Sequence, residues 1–206
     1  MARYLLARLA SEVLATPHVV LYLGVLGDED DFLIRADKHP NTRGAQDMGL
    51  PAPATAAQLA AMAQAIDQGT IKVVYAIGVD LVEAFGAETV VRWGTQLDCL
   101  IVQTSNIIPG CEQAHVLLPS ATYAERDGTF TNFQGYLQRL NAAFAPRGEA
   151  RPAWQIYTRL AQGLGQDWTY ASAEGVLHDI AAAVFAYAGL SYAKIGDLGC
   201  SVAHES

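Results

Sequence analysis

The side chains best suited to chemistry gather in one stretch, residues 117–139, which reads LLPSATYAERDGTFTNFQGYLQR. Thr129, Thr131, Asn132, Gln134 and Gln138 offer hydroxyl and amide donors and acceptors with little bulk. Two glycines, Gly128 and Gly135, let backbone amides come close to a bound group. Such a composition suits a polar binding surface at the end of an open sheet, and it equally suits an Ω-like loop that satisfies itself. Within the stretch, Glu125 and Asp127 flank Arg126. An acid–base pair is conceivable there, and mutual neutralisation with the arginine is the plainer account.

Elsewhere the sequence is short of catalytic constellations. No G-x-G-x-x-G follows a strand pattern, and no G-x-x-x-x-G-K-[ST] occurs, so the usual phosphate loops are missing. Gly24 and Gly27 read as an ordinary strand-end turn. None of the five histidines stands four residues from another, and no G-x-S-x-G nucleophile elbow is found. His115 reads as a hydrogen-bonded structural residue. Cys99, Cys111 and Cys200 lack the C-x-x-C spacing of a zinc or iron–sulfur site, so they read as reduced cysteines. The acidic run Asp28, Glu29, Asp30 and Asp31 reads as a solvated loop that would need further ligands to hold a metal.

Composition narrows the partners. Half of the residues are hydrophobic and only 17% are charged, which argues for a folded core. A formal net charge of -8 opposes binding to nucleic acid or a polybasic attachment to membranes. Arg8 and Glu12 interrupt the N-terminal apolar stretch, which excludes a secretory h-region there. No continuously apolar run reaches the roughly 18 residues of a membrane span, so a cytoplasmic location without direct membrane insertion is expected.

These residues need elements to position them. Leu5, Leu6, Leu9 and Val13 share one face of a first helix that Pro17 ends. The β-branched run 18–23 predicts a buried strand, and 24–53 reads as irregular. Thr55 caps a helix bearing Leu59, Met62 and Ile66, with Gly69 beyond its end. Strands are predicted at 71–77, 99–103 and 115–118, with a helix inside 81–93. The alternation calls for right-handed crossovers and a Rossmann-like, mainly parallel sheet flanked by helices: an α/β fold, forming one domain over residues 1–206. Residues 119–151 form a long ordered loop excursion. Two helices close the chain: Pro152 opens the first, and Val176, Ile180, Val184 and Tyr187 stripe the second.

The stretch 117–139 resembles the V-L-P-x-x-x-x-E-x-x-G-T-x-T-N-x-E-G-R-x-Q run of the molybdopterin oxidoreductase family. Residues 149–156 (EARPAWQI) look like its G-E-A-R-P-D-W-x-I run, and 41–49 (NTRGAQDMG) resembles its N-x-R-G-A-x-D-x-G loop. Residues 187–192 (YAGLSY) are similar to an ending typical of the large iron–sulfur subunit of NADH:quinone oxidoreductase, respiratory complex I. The resemblance implies a late portion of a longer subunit whose cysteine-rich domains and molybdenum ligand lie upstream. It nominates Gly128, Thr129, Thr131, Asn132 and Gln138 as a vestigial pterin-side surface. Gln134 stands where the family has Glu and Tyr136 where it has Arg, and losing that arginine removes a cationic fork suited to an anionic cofactor.

The resemblance therefore implies a non-catalytic structural and docking module of a complex I-like NADH dehydrogenase assembly, peripheral to the inner membrane through that complex. No cofactor or metal is expected on this chain. Iron–sulfur clusters, and any molybdopterin, are expected on partner chains, iron–sulfur subunits above all. One alternative is part of a split molybdopterin-dependent oxidoreductase such as a formate dehydrogenase. The other is an independent α/β enzyme or small-molecule binder.

Overall fold

A computed structural model describes residues 1–24 and 26–202. The chain opens with α1 (Ala2–Arg8), which continues as a π-helical turn over Leu9–Val13. Tyr4, Leu5, Leu9 and Ala10 form its buried side. After an irregular segment come α2 (Thr42–Asp47) and α3 (Ala56–Asp67). The predicted cap of α3 is present: Thr55 Oγ1 accepts the Gln58 N–H at 3.3 Å, while Gln58 Oε1 accepts the Thr55 N–H at 2.9 Å. Two orphan donors of the first turn are thus satisfied reciprocally.

The central unit follows: β1 (Val73–Ile77), α4 (Leu81–Phe85), α5 (Ala87–Gln96), β2 (Cys99–Thr104) and β3 (Val116–Pro119). The single helix expected within 81–93 is two, because Gly86 adopts φ 83° between them, a conformation open to glycine. β1, β2 and β3 pair in that order and all in parallel. Alternation along β1 and β2 separates two packing faces. Val74, Ala76, Leu100 and Val102 point into a core closed by Ile66 of α3 and by Val90 and Trp93 of α5. Tyr75 and Ile77 point the other way, against a second core.

That second core joins distant parts of the chain. α6 (Ala153–Gly163) and α7 (Ala173–Ala183) supply Trp154, Tyr157, Ala161, Val176, Leu177 and Ile180 to it, α1 adds Leu5, and the π-helical turn after it adds Leu9. Pro152 is the residue before α6 rather than its first, one position from expectation. Val184 leaves helical geometry, so Tyr187 falls in a separate 3-10 turn.

The excursion carries strands that the sequence reading treats as loop. β4 (Gly128–Thr131) and β5 (Tyr136–Leu140) form an antiparallel hairpin, and after α8 (Tyr192–Ile195) a short β6 (Cys200–Ser201) adds to β5. Conversely, the predicted strand at 18–23 shrinks to one bridge, Leu21 to Pro53. Its partner segment is Pro51-Ala52-Pro53, and prolines have no N–H to extend a ladder. α2 is likewise a helix within the segment read as irregular. Among the described residues, no helix is long and apolar enough to cross a membrane.

Candidate functional site

A cavity of about 380 Å³ opens at the carboxyl ends of the parallel strands. Ile77 ends β1 and Gly78 follows it, Gln103 and Thr104 end β2 and Ser105 follows it, and Ser120 follows β3. Parallel strands leave their last backbone groups facing such a crevice, which is where open α/β sheets receive ligands. Other parts of the chain close the walls: Arg3 from α1, Leu21 and Leu23 from the segment after it, Asn41 and Thr42 at the start of α2, Arg126 with Asp127, Gly128 and Thr129 from the excursion, and Tyr157 from α6.

The wall mixes apolar and polar groups, and two arginines, Arg3 and Arg126, line it together with Asp127. Gln103, only 1% exposed, accepts the Tyr75 hydroxyl and donates to Ser120 Oγ at 3.3 Å. Burial pushes the Tyr157 phenol up to about 12, with Arg3, a Gln103 hydrogen bond and Arg126 pulling against it. Burial first, and then the charge of Arg3, hold the Arg126 guanidinium below its ordinary value, while Tyr157 opposes them. A guanidinium stays protonated in proteins, so Arg126 faces the cavity as a poorly solvated cation. Neither Arg3 nor Arg126 makes an ion pair among the described residues.

The neutralisation anticipated around Arg126 does not occur. Glu125 is turned back on the chain, accepting the Thr122 N–H at 2.9 Å, the Thr122 hydroxyl at 3.0 Å and the Arg147 N–H at 3.2 Å. Asp127 accepts the Ala142 N–H at 3.0 Å. Both neighbouring carboxylates bond backbone groups rather than the arginine, and Asp127 lines the cavity beside it.

Of the five nominated residues, the structure brings two to the cavity, Gly128 and Thr129. Thr131 points elsewhere: its Oγ1 lies 2.6 Å from the Tyr187 hydroxyl, and its N–H donates to Asn41 Oδ1 at 2.8 Å. Asn132 closes the hairpin turn, its Oδ1 accepting the N–H groups of Gln134 at 3.0 Å and Tyr136 at 2.9 Å. Gln138 is exposed on β5, its side chain beside Gly199. Tyr136, at the position of the missing family arginine, does not line the cavity. Arg3 and Arg126 supply the positive charge instead, and neither stood out in the sequence as a ligand-binding residue.

Loop 41–49 is fastened to the hairpin by the same contacts. The Tyr187 hydroxyl donates to Asp47 Oδ2 at 2.9 Å, and Asp47 pairs with Arg43 at 2.8 Å. Gly44 allows the close approach, since a Cβ there would sit 2.4 Å from Asn41 Oδ1 and 3.2 Å from Thr131 Cβ. His115 plays the structural part expected of it, with Nδ1 accepting the Leu100 N–H at 2.9 Å.

A parallel sheet with helices packed on both faces and a cavity at its strand ends defines an open α/β fold. The chain belongs to the molybdopterin oxidoreductase family, whose model matches residues 7–163. It is similar to the NADPH-Fe(3+) oxidoreductase subunit alpha of Geobacter sulfurreducens, with 33% identity over 202 residues, covering 86% of this chain and 24% of that protein. A formate dehydrogenase-like protein of Staphylococcus haemolyticus is 35% identical over 100 residues, covering 48% of this chain and 10% of its own length. Among solved structures, acetylene hydratase from Pelobacter acetylenicus shares the fold, with a TM-score of 0.51 at 12% identity, over 69% of this chain and 20% of that one. The matches thus span between a tenth and about a quarter of these proteins.

Proposed function

We propose that this chain is a non-catalytic segment of a redox subunit and that its strand-end cavity forms one wall of a cleft holding an anionic, pterin-type cofactor. The observation that carries this reading is the pair Arg3 and Arg126, which share one cavity with no carboxylate paired to either among the described residues. An unpaired, partly desolvated guanidinium is unfavourable until an anion offsets it, and its planar fork suits phosphate oxygens. The donor set fits such a group. Arg3 and Arg126 would hold its phosphate, Thr129 and Ser120 would hydrogen-bond its polar edges, and Gly128 leaves the backbone accessible. When bound, a pterin cofactor supplies the electron-transfer chemistry. Among the described residues no three His, Cys, Asp or Glu side chains converge to hold a metal, so metal ligands would come from elsewhere in the assembly.

The test uses inorganic pyrophosphate with the purified chain in calorimetry. Saturable binding that weakens at least tenfold in both Arg3→Ala and Arg126→Ala supports the reading. Affinity unchanged by both substitutions, with the fold intact, overturns it.

A second reading takes the chain as a docking module of an NADH-dehydrogenase-type, complex I-like assembly, on the cytoplasmic side and peripheral to the membrane. Two observations favour it. Thr131 and Asn132 are spent on holding the hairpin rather than on the cavity, and the Geobacter relative is itself one subunit of a larger oxidoreductase. Here the cavity keeps its shape without a pterin. Metal and pterin analysis of the native assembly separates the two: iron–sulfur partners without pterin support docking alone, and stoichiometric pterin supports the first reading.

A further inference from the structure

The acidic run at 28–31 does more than fill a loop. Residues 27–36 fold back on themselves, with the Gly27 N–H on the Ala36 carbonyl at 3.0 Å and the Asp30 N–H on the Ile34 carbonyl at 2.9 Å. Asp30 Oδ1 sits inside the turn and accepts three backbone N–H groups, from Phe32 at 2.9 Å, Leu33 at 2.6 Å and Ile34 at 2.8 Å. Those bonds, Ile34's foremost, hold its carboxyl below the ordinary range. Glu29 Oε2 takes the Ala36 N–H at 3.2 Å, and the Lys38 ammonium caps the carbonyls of Asp28 and Arg35. Arg35 lies over the Phe133 ring, 4.3 Å from its centroid, which ties the base of the turn to the hairpin.

This hydrogen-bonded frame does not shelter its apolar residues. Phe32 is 94% exposed and Leu33 78%, side by side at the tip. Single exposed hydrophobics are ordinary on protein surfaces, but two neighbours raised on a braced turn present a preorganised apolar knob. The charges around it are one-sided. Asp28, Glu29 and Asp31 are exposed and outnumber the two exposed cations nearby, of which Lys38 is hydrogen-bonded to backbone carbonyls and Arg35 lies over a ring.

We infer that the turn at 27–36 is a docking knob, whose Phe32 and Leu33 enter an apolar pocket rimmed by lysines or arginines on a partner protein. Charge complementarity selects this occupant. A second copy of this chain, with a net charge of -8, would set acid against acid. An anionic lipid surface would repel the same carboxylates. The inference goes beyond the cavity reading and stands without it.

The experiment places a photo-crosslinking phenylalanine analogue at position 32 of the chain in its native host, and maps the joined peptide by mass spectrometry. The expected result is one partner, joined at an apolar segment flanked by basic residues. Phe32→Ser with Leu33→Ser should weaken that partner's binding at least tenfold, as should Asp28→Lys with Asp31→Lys. Both double variants should keep the melting temperature, because these side chains are exposed, and any pyrophosphate affinity, because none lines the cavity. Crosslinking only to a second copy, capture by phosphatidylserine vesicles, a mapped peptide without basic flanks, no crosslink in the intact assembly, or unweakened binding by the double variants overturns the knob.

Discussion

Replacing Tyr187 with phenylalanine should loosen the contact that fastens loop 41–49 to the hairpin, at a cost that follows from its two hydrogen bonds. The ring is 2% exposed, and its hydroxyl proton is committed to Asp47 at 2.9 Å, so Thr131 is the donor in the 2.6 Å contact. The substitution removes one bond to a charged acceptor, typically about 1.5–3 kcal/mol, and one neutral bond of about 1 kcal/mol. Asp47 keeps Arg43 at 2.8 Å, which moderates the first loss, whereas the Thr131 hydroxyl, in a residue 2% exposed, is orphaned. The expected destabilisation is about 2–3 kcal/mol, or a urea midpoint lower by roughly 1 M at a slope of about 2–3 kcal/mol per M. Tryptophan fluorescence during urea unfolding measures it. Thr131→Val alone should cost about 1 kcal/mol, and the double variant should fall short of additivity by a similar amount. The wild-type advantage should also fade in alkali. Burial, first among its causes, raises the Tyr187 phenol above the ordinary tyrosine value. Its contribution is therefore complete below about pH 10 and lost as pH rises through the raised value. A loss under ~0.5 kcal/mol, or a strictly additive cycle, refutes the account.

Two further outcomes follow from the same geometry. The Thr122 N–H, with the Thr122 hydroxyl and Arg147 N–H behind it, depresses the Glu125 carboxyl. Its stabilisation is thus present above the ordinary glutamate value, about 4.3, and disappears as pH falls through the lowered one; Glu125→Gln should lower the urea midpoint at pH 7 and converge with wild type in acid. Thr55→Ala removes half of the α3 capping box and should cost about 1 kcal/mol, read by calorimetry as a melting temperature lower by about 2–4 °C.

Local signals carried much of the fold. Thr55 and Gly69 bracket α3 in the sequence as they do in space, and the apolar runs at 71–77, 99–103 and 115–118 hold the three strands that pair in parallel. The run at 18–23 looked no different from those. Its failure to form a strand lies in the prolines opposite, which single-segment reading does not see. The hairpin left a faint mark: Asn132 and Gly135, the latter at φ 79°, bracket a turn between two strand-forming runs. The site was harder still. Arg3 and Arg126 meet only because α1 packs against α6 and the excursion folds over the strand ends, so no spacing announces them. Arg126 even looked neutralised by Glu125 and Asp127, but both acids bond backbone groups of Thr122, Arg147 and Ala142 instead of pairing with it.

The two cores differ in how far apart their members lie along the chain. Ile66, Val74, Val90, Trp93, Leu100 and Cys111 fall within one continuous stretch, whereas the other core must join Leu5 and Leu9 to Val176 and Ile180. Closing the long loop costs more chain entropy, so the nearby set can assemble first and the ends dock afterwards. The cavity draws its walls from both phases, with Arg3 and Tyr157 arriving in the second. A group that fills it would therefore act as a latch on the final folding step, slowing the release of the terminal helices while leaving the early βαβ unit untouched.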